Sequence, residues 1–403
     1  MSGLASAPPR VPAAIWVLGF VSLLMDVSSE LIHSLLPVFL VTTLGASAMA
    51  VGLIEGAAEA TALIVKVFSG VLSDFWGRRK PLALLGYGLG ALSKPLFALA
   101  GSAGMVLAAR LIDRVGKGLR GAPRDALVAD IAPPEVRGAA FGLRQALDTV
   151  GAFVGPLAAM VLMLMWHDDF RTVFWLAIIP GFLCVALLAG GVREPAAQAR
   201  GRPSNPIARA NLRRLPRAYW WVVAIGAVFT LARFSEAFLV LRARDGGLAV
   251  ALAPLVLIAM NVVYALAAYP FGKLSDRMDH TRLLMLGMAV LIGADLALAA
   301  GAGWPWVWLG IALWGTHMAI TQGLLARMVA DGAPPELRGT AFGFFNLVSG
   351  VAVLAASALA GALWDRDGAW TTFVTSAAFA ALALSGLVVR QVRSSGRTMA
   401  GEP

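Results

Sequence analysis

Acidic side chains recur at helical spacing inside long apolar stretches of this 403-residue chain. Asp26, Glu30 and His33 follow one another at i, i+4 and i+7, so one face of a helix would carry all three. Glu55 and Glu59 repeat the four-residue spacing in the next apolar stretch. A carboxyl group in a partly dehydrated site can bind and release a proton near neutral pH. We therefore predict that Asp26, Glu30 and Glu59 carry protons.

Other ionisable and polar residues share these apolar stretches. An ionised side chain in the middle of a bilayer costs at least about 2.5–3.5 kcal/mol unless it faces a partner or water. Acids and bases are both numerous, which predicts a networked central cavity. The alternative is static pairing between helices, and Arg144 with Asp148, at i, i+4, fits that alternative best. The predicted substrate-cavity residues are His33, Glu55, Lys94, Arg110, Asp113, Arg144, Asp148, Arg233, Glu236, His317, Gln322 and Asn346.

We expect neither a metal nor a cofactor. His33 and His317 lie far apart in the sequence, and Cys184 is the single cysteine, so no thiolate cluster accompanies them. The string GKGLRG at 116–121 has the spacing of a dinucleotide motif but lies in a helical apolar context without a preceding strand. No apolar stretch carries H-E-x-x-H or G-x-S-x-G, so we do not expect an enzyme.

The composition is that of an integral membrane protein. Hydrophobic residues make up 59% of the chain and charged residues 14%, with a mean hydropathy of +0.77. Soluble domains carry about 25% charged residues. The formal charge of +10 does not indicate nucleic-acid binding, because the basic residues gather in short loops on one side of the predicted membrane segments.

The elements that position these residues are predicted to be transmembrane helices. About 20 apolar residues cross a bilayer, and backbone polar groups in lipid must be paired internally, which favours helices. We predict an all-α membrane protein with twelve such helices. They are expected at roughly 13–41, 46–74, 81–101, 103–131, 138–166, 170–192, 218–241, 248–275, 283–302, 304–331, 339–364 and 370–390.

The distribution of basic residues predicts the orientation. Twelve crossings place both termini on one side, and the loops of that side hold most of the arginines and lysines. The opposite loops hold only Arg171, Arg242, Arg244 and Arg366. By the positive-inside rule, both termini are expected in the cytoplasm, with the protein in the cell (plasma or inner) membrane.

The sequence repeats itself about 200 residues apart. ADIAPPEVRG at 129–138 returns as ADGAPPELRG at 330–339, and GVLSD at 70–74 returns as GKLSD at 272–276. Such a repeat predicts two equivalent halves that move around a central site. We predict two pseudo-symmetric six-helix bundles at 1–192 and 218–403, joined by a basic cytoplasmic linker at 193–217.

Three motifs resemble those of the major facilitator superfamily. GVLSDFWGRRK at 70–80 is similar to its loop motif G-x-L-a-D-r-x-G-r-k, although Phe75 stands at a usually basic position. RVGKG at 114–118 is similar to the R-x-x-q-G motif of the fourth helix. GAFVGP at 151–156, with Gly151, Gly155 and Pro156, is similar to the first part of the antiporter motif of the fifth. The resemblance covers the whole chain.

This resemblance implies the fold and working parts of a secondary transporter. It implies a monomer that carries a small solute by alternating access, with Arg114 steering the coupling proton. It also implies a cytoplasmic gate, in which Asp74 accepts hydrogen bonds from a facing helix N-terminus and Arg78 or Arg79 pairs with Asp130. The predicted gate residues are Gly70, Asp74, Gly77, Arg78, Arg79, Asp130, Arg137, Asp276, Arg277, Asp331 and Arg338.

Several functions remain open at this point. Without a G-x-x-x-x-G-K-[ST] motif, an ion gradient is the expected energy source. The partial motif of the fifth helix favours proton-coupled efflux by antiport. Import of an anionic nutrient or a metal chelate by proton symport is the alternative, because the arginines and lysines of helices three to five suit carboxylate or phosphate groups. A membrane sensor that binds without transporting is a further alternative.

Overall fold

The computed structural model describes residues 11–76, 78–194, 209–275, 277–301 and 303–399. Within these ranges the chain is almost entirely helical and makes twelve long passes, which we number in chain order. The first half contains α1 (Ala13–His33), α2 (Ala48–Trp76), α3 (Lys80–Leu99), α4 (Ala103–Ile131), α5 (Arg137–Met165) and α6 (Phe170–Leu176 with Ile178–Gly191). The second half contains α7 (Arg217–Leu231 with Ala237–Asp245), α8 (Pro254–Ser275), α9 (His280–Ala300), α10 (Trp304–Thr321 with Leu324–Gly332), α11 (Arg338–Asp367) and α12 (Ala369–Met399).

The remaining helical segments are short. After α1 the chain continues through Leu36–Val38 and a π-helical stretch at Phe39–Thr43, and Arg209–Leu212 precedes α7. Single 3-10 turns at Pro134–Val136, Val250–Leu252 and Pro335–Leu337 lead into α5, α8 and α11. The predicted all-α fold is confirmed, and the twelve predicted segments correspond to the twelve passes. The one large difference in length is α12, which continues to Met399 instead of ending near residue 390.

Eight passes in the described ranges are long and apolar enough to cross a membrane on their own. The other four are α3, α4, α7 and α10. Helix α4 falls short because it carries many charged residues, and α7 because its first part, Arg217–Leu231, has only 15 residues. Such segments depend on the surrounding helices to shield their polar groups.

Small residues let helices approach closely within the first half. A Cβ added to Gly151 of α5 would lie 2.6 Å from the carbonyl oxygen of Leu23, and one added to Gly155 would lie 2.5 Å from the Cβ of Glu30. Both distances are too short for a real side chain. Helices α1 and α5 are therefore packed backbone to backbone along the part of α1 that carries Glu30.

The two halves meet along α2 and α11. A Cβ at Gly52 would clash with the carbonyl oxygen of Ser357, and one at Gly361 would lie 2.5 Å from the carbonyl oxygen of Ala48. This seam reaches along α2 to Ala60, which packs against Gly350. We call the end of the molecule that contains Ala48 and Gly361 the closed end.

The same pair of helices separates toward the other end of the molecule. Gly70, farther along α2, has Ala122 of its own half as its nearest neighbour at 3.7 Å. On α8, Leu266 and Tyr269 are 74% and 70% exposed. We call the end that contains Gly70 and Asp130 the open end.

Candidate functional site

A central cavity of about 330 Å³ lies between the two halves. Its volume is at the lower end of the range for small-molecule sites, about 300–1,000 Å³. Helices α1, α2 and α4 supply one wall, and α7, α8 and α11 supply the other. The ionisable residues that line it are Glu30, His33, Glu55, Glu59, Arg110, Arg114, Lys117, Arg233 and Glu236.

Two neighbouring compartments extend this cavity. One of about 290 Å³ is walled by the first half alone and contains Asp26 and Asp148. The other, of about 270 Å³, lies between the halves and contains Asn346. Glu59 borders all three spaces. This carboxylate therefore lies where the three compartments meet.

Glu59 forms an ion pair with Arg114. The Oε1 atom of Glu59 lies 3.2 Å from the Nη1 atom of Arg114. The Glu59 side chain is 41% exposed to the cavity, whereas that of Arg114 is 6% exposed. Arg110, Arg114 and Lys117 follow one another at spacings of three or four, so one face of α4 presents them together. A charged pair with one accessible member can exchange its partner for a proton or a solute.

Glu55 and Arg110 form a second, more buried pair. Arg110 donates from Nε and Nη2 to the two carboxylate oxygens of Glu55, at 3.1 and 2.5 Å. Both side chains are less than a tenth exposed. Bidentate geometry of this kind fixes the orientation of both groups. The pair holds α2 against α4 beside the cavity.

A chain of polar groups leads from the cavity into the interior of the first half. Glu30 lies 3.9 Å from His33 Nδ1, and His33 Nε2 lies 3.5 Å from Asp113. Asp113 in turn pairs with Lys94 at 2.8 Å, and the Lys94 ammonium donates to the hydroxyl of Ser29 at 3.0 Å. The charge of the fully buried Lys94 is thus compensated, as burial in an apolar interior requires.

A further cluster surrounds Asp148 near the compartment that contains Asp26. Arg124 Nη1 and Arg144 Nη1 each lie 3.6 Å from a carboxylate oxygen of Asp148. Arg144 also donates to Gln145 at 2.7 Å. The i, i+4 pairing of Arg144 with Asp148 is therefore present, within a larger network.

The second half contributes its charges at a break in α7. The helix stops at Leu231 and resumes at Ala237, and Arg233 and Glu236 lie in this interruption. The guanidinium of Arg233 lies over the ring of Phe229, 5.7 Å from its centroid. Trp314 and Phe345 supply aromatic surface to the adjoining compartment. The broken helix thus brings ionisable side chains to an otherwise apolar wall.

Comparison with known proteins identifies the family of this architecture. A model of the Major Facilitator Superfamily matches residues 18–357. The chain belongs to the major facilitator superfamily. It is therefore a multi-pass membrane transporter of small molecules, and the predicted fold of this superfamily is confirmed.

Individual superfamily members show how far the likeness extends. An uncharacterised MFS-type transporter of Methanocaldococcus jannaschii is 33% identical over 359 residues, covering 87% of this chain and 88% of that protein. The multidrug resistance protein MdtH of Photorhabdus laumondii is 30% identical over 156 residues, 39% of this chain and 38% of that protein. The crystal structure of the nucleoside transporter NupG superposes with a TM-score of 0.77 at 14% identity, covering 93% of this chain and 99% of that one.

Not all predicted cavity residues of this superfamily member line the three compartments. Lys94, Asp113 and His317 are buried behind the wall, because each is held by a partner in the helix packing. The His317 ring, for example, lies with Nδ1 2.8 Å from the carbonyl oxygen of Gly287. Arg144 is held in the cluster around Asp148, and Gln322 is exposed at the break of α10, outside the lining. Their assignment as cavity-lining residues is corrected accordingly.

The predicted gate lies at the open end. Arg79 Nε is 2.8 Å from Asp130, and both residues belong to the first half. The backbone N–H groups of Arg79 and Lys80 donate to the carboxylate of Glu194, at 2.6 and 2.8 Å. Glu194 thus ties the start of α3 to the end of the first half. Reasoning from the sequence missed it, although its position beside the basic linker is a usable signal.

The other gate residues are placed without such partners across the halves. Arg338 donates from Nε to the carbonyl oxygen of Ala330 in its own half, at 3.3 Å. Gly77, Asp276 and the side chain of Asp74 lie outside what the structure describes. The gate residues that are exposed at helix ends or in loops are Arg78, Arg137, Arg277, Asp331 and Arg338.

Sequence reasoning also left Lys117 out of the cavity residues. Its side chain is exposed and lines both the central cavity and the compartment that contains Asp26. Its spacing of three from Arg114 on α4 would have identified it. Across the described ranges, no group of three or more His, Cys, Asp or Glu side chains is arranged to hold a metal ion.

Proposed function

We propose that this chain is a proton-coupled antiporter that exports a small solute from the cytoplasm. The observation that carries the proposal is the position of Glu59. Its carboxylate is accessible at the junction of three compartments and is paired with Arg114. Protonation of Glu59 removes the charge that compensates Arg114 and so changes how the wall interacts with a solute. Proton binding and solute binding are thereby linked.

The proposed transport cycle uses the two ends of the molecule in turn. The α2–α11 seam closes one end while the cavity communicates with the other. For the solute to cross, the seam must open as the halves close over the opposite end. Asp26 and Glu30 lie along the same side of α1 and would share the proton pathway with Glu59.

The proposed orientation places the open end in the cytoplasm. The open end carries the basic loops around Arg78, Arg137 and Arg338, which the positive-inside rule assigns to the cytoplasmic side. Both termini would then be cytoplasmic, in the cell membrane, and the protein would work as a monomer. The structure would represent the state that is open to the cytoplasm.

Two observations favour export. Gly151 and Gly155, from the partial antiporter motif, bring α5 into backbone contact with the part of α1 that carries Asp26 and Glu30. The partial relative MdtH is named a multidrug resistance protein. Import by symport of an anionic nutrient or metal chelate is the second candidate, supported by the exposed ammonium of Lys117 and the guanidinium of Arg233 in one cavity.

Transport assays in everted vesicles test the proposal. A thermal-shift screen of purified protein against lipophilic cations, organic anions and metal chelates first selects a probe. Antiport predicts that the probe accumulates in everted vesicles with an acidic interior. Glu59→Gln should lose this accumulation but retain exchange of labelled for unlabelled probe, whereas Glu135→Gln, at an exposed loop position, should behave like the wild type. Probe uptake by intact cells down an inward proton gradient would instead establish symport.

A further inference from the structure

A buried carboxyl group in the second half has no role in the function proposed so far. Asp295 of α9 is fully buried. Its neighbours in the packed core include Leu291, Ala294 and Leu298 of its own helix and Phe373 of α12. Ionisation of a carboxyl group in such surroundings is costly unless a cation or several donors compensate it.

The titratable groups around Asp295 form their described contacts elsewhere. On α10, His317 lies against the carbonyl oxygen of Gly287. On α7, Arg242 donates from Nε to the carbonyl oxygen of Leu298 at 2.8 Å, and Arg233 lies over Phe229. The polar side chain at hydrogen-bond distance from Asp295 is Ser376 of α12, and the Oδ1 atom of Asp295 has no hydrogen-bond partner.

The hydroxyl of Ser376 lies between two acceptors. Its oxygen is 2.6 Å from Oδ2 of Asp295 and 2.7 Å from the carbonyl oxygen of Ala232. A serine hydroxyl has one hydrogen to donate, whereas its oxygen can also accept. The Ala232 carbonyl can only accept. Both short contacts are satisfied when the Asp295 carboxyl is protonated, donates to Ser376, and Ser376 donates to Ala232.

We propose that Asp295 is a proton-binding site in the second half, linked through the hydroxyl of Ser376 to the break in α7. Ala232 is the first residue of this break, which presents Arg233 and Glu236 to the cavity. Loss of the proton would turn the Ser376 hydroxyl toward the carboxylate, so that the Ala232 carbonyl loses its donor. The conformation of the break would then depend on the protonation of Asp295.

This inference rests on the proposed proton coupling for its role in transport, but the proton site itself can be tested without a solute. Infrared spectra of the purified, reconstituted protein should contain the carbonyl stretch of a protonated carboxylic acid. Asp295→Asn should abolish that band, while Asp365→Asn should leave it in place because Asp365 accepts backbone N–H bonds near the surface. A spectrum unchanged by Asp295→Asn would overturn the assignment, whatever the vesicle assays show.

Hydrogen–deuterium exchange tests the link to α7. Ser376→Ala removes the donor to Ala232 and should speed exchange in the segment 232–238, with Asp295 still protonated. Ser385→Ala is the matched control, because this hydroxyl lies on the same helix and donates to Ala381 one turn earlier. Asp295→Asn retains a donor toward Ser376 and should leave exchange in the segment slow. Equal exchange in wild type and Ser376→Ala would refute the link while leaving the proposed antiport untouched.

Discussion

The carboxylate of Asp365, near the end of α11, accepts hydrogen bonds from the backbone N–H groups of Ala48 and Met49 at the start of α2. The distances are 2.8 and 2.9 Å. The first N–H groups of a helix have no partner within that helix, so Asp365 acts as an N-cap supplied by the opposite half of the molecule. This cap can exist only while the closed end is closed, and it therefore stabilises that state relative to one in which α2 and α11 separate there.

We expect Asp365→Ala to shift the protein toward a state in which the closed end opens. Loss of an N-cap costs about 1 kcal/mol, which corresponds to about a fivefold change in the ratio of the two states. Spin labels at Thr43 and Trp370, in a Cys184→Ala background, would report the separation of the halves at this end. Asp367→Ala is the control, since this residue contacts Arg366 beside it and not the other half. An unchanged distance distribution in Asp365→Ala would contradict the prediction.

A second capping residue lies in the loop before α6 and has a pH-dependent effect. Asp169 accepts hydrogen bonds from the hydroxyl of Thr172 and from the backbone N–H groups of Arg171 and Thr172. These bonds, that of the Thr172 hydroxyl foremost, lower the pKa of Asp169 below its ordinary value. A carboxyl group with a lowered pKa stabilises the fold fully above its unfolded pKa, and this contribution disappears as the pH falls through the lower folded value.

We therefore expect Asp169→Ala to reduce thermal stability at neutral pH, by about 1 kcal/mol. The difference from the wild type should shrink as the pH is lowered below about 4, the unfolded pKa of aspartate. Thermal unfolding in detergent over this pH range provides the measurement. The exposed neighbour Asp168 serves as the control, and Asp168→Asn should change little at any pH. A pH-independent deficit in Asp169→Ala would show that the carboxylate is not the stabilising group.

The contact between α1 and α5 gives a third prediction. A methyl group at Gly155 would meet the Cβ of Glu30 at 2.5 Å, whereas one at Gly142 of the same helix meets nothing within 4 Å. Gly155→Ala should therefore push α5 away from α1, lower thermal stability and impair transport, since the shift displaces Glu30. Gly142→Ala should be neutral or stabilising, by up to about 1 kcal/mol, because alanine favours helix over glycine. Equal stability of the two variants would argue against close packing at Gly155.

Contacts local in sequence or motif could be predicted from the chain. Residue spacing along α4 placed Arg110 and Arg114 on one face, and the loop motif pointed to the approach of Arg79 to Asp130, which the structure shows at 2.8 Å. Helix existence was predictable for a similar reason, since continuous apolar runs of this length have few alternatives in a membrane.

Contacts that depend on how the helices are placed could not be predicted. Asp365 and Ala48 are 317 residues apart, and their contact depends on which end of the molecule is closed. His317 looked like a cavity residue, but the rotation of α10 turns it into the packing against α9. A helix can be rotated by one residue without changing its apolar pattern greatly, so sequence alone does not decide between the cavity wall and the layer behind it.

The pair Glu55–Arg110 gives the last prediction, which separates structural from transport roles. Both side chains are buried and joined by two hydrogen bonds, so removing one partner leaves an uncompensated charge. Arg110→Met or Glu55→Leu alone should destabilise the protein by about 3–5 kcal/mol, whereas the double variant should recover most of that loss. Equilibrium unfolding of the four proteins measures the coupling energy. The exposed pair Arg366–Asp367 provides a reference cycle, expected to give about 0–1 kcal/mol. If the pair only holds α2 against α4, the double variant should transport the selected probe like the wild type. If the pair must open during the cycle, the double variant will be stable but inactive, and Glu55 will join Glu59 among the residues that act in transport.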